Sequence, residues 1–307
     1  MIQCVRGKEQ VPSSAPLVRR IARKAARLLP RSALRRIADY RFGYAQDGRR
    51  FDFREQAGPH GPVATIDDRI HIHSTEAFLP DLRFHFVENG QSRDEVGAFV
   101  DAAAALPDAA LLYDVGAHRG LFALVHCALG PKRRAVLFEP SISLSKDARA
   151  LLALNGFDAR SEVRVRGVSD RAGTRLIAED ALGFAGPADD QDADAVPIEF
   201  TTLDAEWRRT GEAPAVLKID VEGAEGEVIR GAAALLREVR PLLFLELHLD
   251  VLERRGEPVD ALLSQLTSCG YRFREPDGRQ RSVRGIRDSL RAIVRIVGQP
   301  EGWPHGG

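Results

Sequence analysis

The ten residues Leu111–Gly120, LLYDVGAHRG, constrain the fold of this chain more than any other stretch. The first three predict a buried strand that ends at Asp114, and the apolar run that follows the stretch predicts a helix. Gly116 and Gly120 bracket the turn between them, because glycine adopts backbone conformations that other residues avoid. A strand that turns directly into a helix aims the first N–H groups of the helix at a ligand site.

A second acidic residue, Glu139, ends the next predicted strand, at 135–138. Nucleoside-binding folds hold ribose hydroxyls at this position, so the unit predicts a nucleoside-binding half-domain. The glycines do not form the G-x-G-x-x-G fingerprint of dinucleotide folds. The pattern instead resembles the D/E-x-G-x-G-x-G turn of S-adenosylmethionine methyltransferases, with His118, a residue that tolerates positive φ, in place of the middle glycine. An ordinary α/β turn that binds no ligand is the alternative at this point.

The rest of the chain alternates between predicted strands and helices, which indicates an α/β fold with a doubly wound, mostly parallel sheet and helices on both faces. The predicted helices are 95–106, 121–130, 144–154, 221–236 and 258–269. The further predicted strands are 63–66, 69–73, 82–87, 162–168, 197–203, 215–220, 242–247 and 271–274.

Ionisable residues stand at, or just beyond, the ends of several of these strands. Ligands of such sheets bind outside the carboxyl ends of the strands, so we expect these side chains to share one site. They are Asp114, Glu139, Asp220, Glu222, Glu246 and His248. Four further histidines in the first ninety residues lack metal-site spacing, and we interpret them as ordinary strand residues; they are His60, His71, His73 and His85.

The first fifty residues are basic, with thirteen Lys or Arg and three acids, although the whole chain of 307 residues has a formal net charge of zero. Residues 17–29 have the pattern of a basic amphipathic helix, which can lie on an anionic membrane surface or dock on a partner. A solvated arm or a helix packed on the core is the favoured alternative. No apolar run approaches the roughly 18 residues of a membrane span. The three cysteines suggest neither disulfides nor a thiolate metal site, so a cytoplasmic location is the default expectation. The zero net charge gives no support for nucleic acid as a partner, and we expect none.

Composition divides the chain into four predicted parts. These are a basic arm at 1–50, a strand-rich lead-in at 51–94, a ligand-binding domain at 95–280 and a C-terminal tail at 281–307. Inside the domain, the acidic loop between 179 and 194 is interpreted as a flap over the site or as a disordered surface loop.

Five strings in this order and spacing resemble the FkbM family of S-adenosylmethionine methyltransferases. They are YDVGAHRG, LFEP at 137–140, TTLD at 201–204, LKIDVEGAE at 217–225 and LELH at 245–248. The resemblance covers roughly residues 110–275, and His118 stands where the family usually has Asn. It implies a class I, Rossmann-like methyltransferase fold with an N-terminal extension, and methyl transfer to an oxygen of a sugar, polyketide or related metabolite.

The resemblance also implies a role for each site residue. The methionine end of S-adenosylmethionine would be held by Asp114, Gly116, His118 and Gly120, the ribose by Glu139, and the adenine would be flanked by Ser169 and Asp170. The acceptor would face Asp220, Glu222, Glu246 and His248. A neutral His248 imidazole is a suitable base for the hydroxyl proton, with Glu246 or Asp220 to orient it. Alternatively, Asp220 and Glu222 would hold a divalent metal ion through oxygen ligands. The structural alternative for His248 is a capping role at a strand end.

Two other functions are weighed against an O-methyltransferase. A non-catalytic subunit that binds S-adenosylmethionine or a nucleotide is disfavoured by the intact set of acids and His248. A nicotinamide-dependent oxidoreductase is disfavoured because the chain lacks the glycine fingerprint and a Tyr-x-x-x-Lys dyad. The sequence leaves the acceptor, the need for a metal and the oligomeric state open.

Overall fold

The computed structural model describes residues 49–179, 185–187 and 195–303. The predicted basic helix at 17–29, and most of the acidic loop between 179 and 194, lie outside these residues. Among the residues that are described, no helix is long and apolar enough to cross a membrane.

The strands are named here in chain order. They are β1 (Phe53–Gly58), β2 (Gly61–Ile66), β3 (Ile70–His73), β4 (Leu111–Val115), β5 (Arg134–Phe138), β6 (Ser161–Arg164), β7 (Gly167–Val168), β8 (Gly173–Glu179), β9 (Ala185–Pro187), β10 (Val196–Thr201), β11 (Val216–Ile219), β12 (Leu242–His248), β13 (Tyr271–Arg274), β14 (Gln280–Arg281) and β15 (Ile293–Pro300).

The helices follow the same convention. They are α1 (Leu79–Arg83), which continues into a π-helical turn (Phe84–Glu88), α2 (Gly90–Ala104), α3 (Leu121–Ala128), α4 (Ile142–Leu154), α5 (Leu203–Thr210), α6 (Glu225–Arg230), α7 (Ala233–Glu238), α8 (Leu249–Arg255), α9 (Val259–Ser268) and α10 (Val283–Arg287), with a 3₁₀ turn at Asp158–Arg160.

The central sheet has eight strands in the order β14-β13-β15-β12-β11-β4-β5-β6. The five strands from β12 to β6 pair in parallel. The direction of winding reverses at β4, which pairs with both β5 and β11, and ligands of open α/β sheets bind at such a switch point. The predicted doubly wound, mostly parallel sheet is confirmed.

Apolar side chains cover both faces of this sheet. One face packs against α2, α3 and α4 and against the small antiparallel sheet β1-β2-β3, through side chains such as Phe99, Leu124 and Ile72. The other face packs against α5 to α10, through side chains such as Val228 and Leu263. The two layers of helices hold the carboxyl ends of β4, β11 and β12 in a fixed arrangement.

Most predicted elements exist, but the structure corrects four predictions. The predicted strand at 82–87 is helical, because Leu79, Leu82 and Phe86 are buried at the spacing of a helix face. The predicted strand at 162–168 is two strands, β6 in the central sheet and β7 in a second sheet of order β7-β10-β8-β9.

The predicted single helix at 221–236 is two helices, α6 and α7. The break falls at Gly231, where a Cβ atom would overlap the carbonyl oxygen of Ser169. Asp204 then starts α7, because its carboxylate accepts the N–H groups of Ala234 (2.9 Å) and Leu235 (2.8 Å). Asp204, from the TTLD string, is therefore a helix-capping residue.

The predicted boundary at 280 is also wrong. The segment 281–307, expected to be a tail, contains β15, which lies between β12 and β13 and is antiparallel to both. Val294, Ile296 and Val297 of β15 are buried in the core. The domain thus needs the C-terminal strand to complete its sheet.

Candidate active site

The turn after β4 has the backbone that its sequence predicts. Gly116 (φ 75°), His118 (φ 51°) and Gly120 (φ 81°) all have positive φ. The N–H groups of Gly116 and Ala117 donate to the carbonyl of Phe138 (2.9 and 3.2 Å), which fastens the turn to the end of β5. His118 therefore occupies the left-handed conformation expected of it, without a glycine.

Gly116 lies directly against the residue that follows β11. A Cβ atom at Gly116 would overlap the carbonyl oxygen of Asp220, whose own N–H donates to Val115 (2.9 Å). Only glycine allows this approach. The turn and the end of β11 are in contact as a result, at the switch point of the sheet.

The Glu139 carboxylate is oriented by two backbone N–H groups. One oxygen accepts from His118 (2.8 Å) and the other from Ser141 (2.9 Å), and Glu139 is 5 % exposed. Each carboxylate oxygen has a second lone pair, so a fixed carboxylate can also accept from a pair of ribose hydroxyls. This arrangement fits the predicted ribose contact of S-adenosylmethionine.

Asp114 supports the turn from beneath. It is 1 % exposed, it accepts the N–H of Ala123 in the first turn of α3, and its Oδ2 has no hydrogen-bond partner among the described residues. Burial raises the pKa of Asp114 to about 7, although Lys218 partly opposes the rise. An orphaned buried carboxylate oxygen fits the ammonium group of a methionine moiety.

Ser169 and Asp170, predicted beside the adenine, follow β7 in the second sheet. The Ser169 hydroxyl accepts from Arg175, and the Asp170 carboxylate accepts from Arg230 of α6 (3.3 Å). Arginine contacts therefore fix both side chains, and their place beside an adenine stays a prediction.

The four predicted acceptor-side residues meet around the imidazole of His248. The ring is buried, and its Nε2 lies 3.1 Å from Glu222 Oε2, 3.7 Å from Glu246 Oε1 and 4.0 Å from Asp220 Oδ1. The structure brings these residues together, as expected for neighbouring parallel strands, while their catalytic roles stay predictions.

Glu225, which the sequence analysis did not select, orients the ring. Its Oε1 lies 2.8 Å from Nδ1 of His248 and accepts the N–H of Gly223 (2.9 Å), and Glu225 is fully buried. A carboxylate accepts hydrogen bonds only, so Nδ1 carries the proton and Nε2 points at the other acids.

The charge of the imidazole differs from the expected neutral form. Burial would lower the pKa of His248, but the interactions with Glu222 and Glu225 and the charges of Asp220 and Glu246 outweigh it and raise this pKa to about 11. In the chain by itself the ring is therefore a cation at neutral pH. His248 could act as a base only if another positive charge near the ring displaced its second proton.

Two buried cations lie beneath the acids, and neither was selected from the sequence. The ammonium of Lys218 lies 3.2 Å from Glu95 and 3.4 Å from Asp220. Arg295 of β15 donates to Glu95 (2.9 Å) and to Glu246 (2.9 Å). Glu95 of α2 thus joins the two cations that orient the acids at the ends of β11 and β12.

These charges also give Asp220 and Glu246 different pKa values. Burial would raise the pKa of Asp220, but Lys218 and His248 outweigh it and lower this pKa. Burial raises the pKa of Glu246 to about 7, even beside Arg295. Asp220 is the acid that stays charged.

Two more ionisable residues, Arg119 and His85, lie near the site. Arg119 of the turn is held by Asp81 of α1 (3.0 Å) and by Asp147 of α4 (3.1 Å). His85, interpreted from the sequence as a strand residue, lies in the π-helical turn, and burial and the nearby charges of Arg295 and Lys218 lower its pKa to about 3. It is therefore neutral near this site.

Comparison with known proteins gives one family. Residues 114–273, just over half of the chain, match the Methyltransferase FkbM domain. None of the curated protein sequences matches the chain.

Solved structures resemble the chain at low identity. The methyltransferase FkbM from Methylobacillus flagellatus KT is 17% identical, with a TM-score of 0.42, over 64% of this chain and 45% of that one, so the chain spans less than half of that protein. A precorrin-6y C5,15-methyltransferase from Geobacter metallireducens GS-15 is 14% identical, with a TM-score of 0.38, over 71% and 91%. Aeropyrum pernix fibrillarin, solved with S-adenosyl-L-methionine, is 14% identical, with a TM-score of 0.38, over 80% and 97%. By its domain match, the chain belongs to the FkbM family of S-adenosylmethionine-dependent methyltransferases.

Proposed function

We propose that this chain transfers the methyl group of S-adenosylmethionine to a hydroxyl oxygen of a small molecule or glycan, such as a sugar or polyketide. The observation that supports this most directly is the contact between Gly116 and Asp220, which joins the cofactor turn to the cluster around His248. A donor held by the turn and an acceptor held by the cluster would then be neighbours.

One set of residues would bind the methyl donor and another set would bind the acceptor. Glu139 would hold the ribose and Asp114 the ammonium group of the donor, whose sulfonium, when bound, supplies an electrophilic methyl group. On the other side, Asp220 and Glu222 accept hydrogen bonds from acceptor hydroxyls. Holding two reactants at near-attack distance supplies much of the rate of such a transfer.

The charge of the site supports a polyol acceptor rather than a polyanion. Asp220, Glu222, Glu225 and Glu246 are within 4.0 Å of the His248 ring nitrogens. Phosphate groups would be repelled here, whereas neutral hydroxyls donate to carboxylates. We therefore propose sugars and polyketides, and not nucleic acid, as the acceptor class.

The test uses donor carrying a deuteriomethyl group, incubated with metabolite extract and the full chain. We expect mass spectrometry to detect a product with the labelled methyl group on oxygen. Calorimetry should show S-adenosylhomocysteine bound and NAD unbound. Glu139→Gln should weaken binding by about 10- to 100-fold, since charge-assisted hydrogen bonds contribute about 1.5–3 kcal/mol each.

Glu301→Gln is the matched control, because Glu301 pairs with Arg272 on the surface. It should bind like the parent chain. Binding of NAD without S-adenosylhomocysteine would overturn the assignment, and labelled product on nitrogen or carbon would overturn the hydroxyl acceptor.

A further inference from the structure

We propose that Asp220, Glu246 and His248 form a binding site for a divalent metal ion of the Mn²⁺ type. One ligand atom from each residue, a carboxylate oxygen or Nε2, lies within 4.8 Å of the other two. The residues come from the ends of β11 and β12, which are neighbouring strands of the central sheet. The role proposed for the ion rests on the proposed function, whereas the proposal that the ion binds here does not.

The first support is the orientation of the imidazole. Glu225 occupies Nδ1, so the other nitrogen is directed at the carboxylates of Asp220 and Glu246. Nε2 of the buried His248, 5 % exposed at its side chain, lies 3.1 Å from the exposed Glu222 carboxylate without a well-aligned hydrogen bond, and Asp220 Oδ1 has no hydrogen-bond partner among the described residues. A carboxylate that holds the far nitrogen of a metal-binding histidine is a recurrent feature of metal sites.

The second support is the spacing of the ligand atoms. The distances from Nε2 to Glu246 (3.7 Å) and Asp220 (4.0 Å) are too long for a direct hydrogen bond. Ligands about 2.1 Å from one ion lie roughly 3 to 4.2 Å from each other in octahedral geometry, so both distances fit an ion between the groups. Two carboxylates and one imidazole suit a first-row divalent cation.

The third support is the shortage of positive charge. With the imidazole protonated, five carboxylates surround three cations within the described part of the chain. The carboxylates are Glu95, Asp220, Glu222, Glu225 and Glu246, of which Glu222 is exposed, and the cations are Lys218, Arg295 and His248. Buried carboxylates need compensating charge, and a divalent ion beside Asp220 would supply it.

Bound there, the ion would face the acceptor beside the donor turn. Coordination of the acceptor hydroxyl would lower its pKa. As the oxygen attacks, the O–C bond forms, the C–S bond of the donor breaks to leave S-adenosylhomocysteine, and the hydroxyl proton passes to Glu222 and then to solvent. Glu222 is suited to this step because its side chain is 59 % exposed.

The test is titration of the metal-stripped full chain with Mn²⁺, followed by loss of the paramagnetic resonance signal of the free ion. We expect one tight site in the parent chain. Asp220→Asn and Glu246→Gln should each weaken Mn²⁺ binding at least tenfold. Glu225→Gln leaves the three ligands in place and should weaken Mn²⁺ binding by about 10- to 100-fold, because it removes the carboxylate that orients the imidazole.

Glu301→Gln again serves as the control and should bind Mn²⁺ like the parent. Calorimetry with S-adenosylhomocysteine, in chelator, reports in parallel whether each variant is folded. The metal site would be overturned if the parent did not bind Mn²⁺. It would also be overturned if folded Asp220→Asn and Glu246→Gln bound Mn²⁺ as tightly as the parent does. Failure of the parent to bind S-adenosylhomocysteine would count against the proposed function instead, whatever the manganese result.

Discussion

At the scale of single residues, the site depends on close backbone approach and on buried charge. Gly116 shows the first, since its contact with Asp220 leaves no room for a side chain. Asp114 shows the second, since one of its oxygens is buried without a partner in the described chain. Each can be changed alone.

Gly116→Ala should abolish binding of S-adenosylhomocysteine and destabilise the fold by several kcal/mol. Positive φ alone costs an alanine roughly 1–2 kcal/mol, and the overlap with the Asp220 carbonyl comes on top. Gly256 (φ 70°) has the same conformation but open space around its Cα. Urea unfolding of Gly256→Ala should therefore show the backbone cost only, and equal losses in the two variants would contradict the steric argument.

Asp114 should make donor binding depend on pH. Its raised pKa of about 7 means that a proton neutralises the carboxylate below that pH, so attraction to the donor ammonium is lost as pH falls. We expect the affinity of the parent for S-adenosylhomocysteine to exceed that of Asp114→Asn by about tenfold at about pH 8 and by much less at about pH 6. Calorimetry at both values measures the gap. If the difference in affinity between the parent and Asp114→Asn were the same at both pH values, Asp114 would only support the turn.

The same residues show what a sequence can and cannot predict. The conformations at Gly116 and His118 follow from a local pattern, and so does the position of Asp220 at a strand end. The charge of His248 does not, because it depends on Glu225 from another element. Local rules also do not identify Arg295, because its partner Glu95 lies 200 positions earlier in the chain.

At the scale of elements, α2 links the lead-in to the edge of the sheet that carries the candidate site. Its side chain Glu95, 2 % exposed, contacts both buried cations, and its cap Asn89 accepts from Ser92 (2.9 Å). The sequence pattern predicts a helix that starts at 95, which would make Glu95 a helix-terminal residue. In the structure the helix starts at Gly90, and Glu95 lies inside it, facing the sheet.

Glu95→Gln should lower the free energy of unfolding by about 3 kcal/mol. The substitution takes from the buried cations Lys218 and Arg295 a charged partner that they share, although each keeps a second acid. Asp101→Asn, on the same helix, removes an exposed partner of Arg49 and should cost less than about 1 kcal/mol. Urea midpoints compare the two, and similar losses would mean that the network adds no stability.

At the scale of the whole molecule, the FkbM match at 114–273 covers less than the folded unit. Glu95 precedes it and Arg295 follows it, yet both contact residues of the site. A protein cut to the matched residues would lose α2 and β15 together. The site is a property of the described chain, and the matched segment alone would not form it.

The basic arm is the remaining part to test. We predict that deletion of residues 1–40 leaves binding of S-adenosylhomocysteine unchanged, because the contacts of Arg49 with Asp94 and Asp101 remain. Binding to anionic vesicles should be lost with the arm, and in the parent it should fade as salt rises, since salt screens exposed charges. An unfolded deletion variant would place the arm in the core.

The position of β15 has a consequence for how the protein is made. β12 leaves the ribosome well before β15, which is its neighbour in the sheet. Until β15 is made, one edge of β12 offers unpaired backbone groups to any other chain. Glu246 also lacks its partner Arg295 until then. The nascent chain therefore cannot complete the cluster around His248 before β15 is made, and aggregation or chaperone capture competes with folding until that strand arrives.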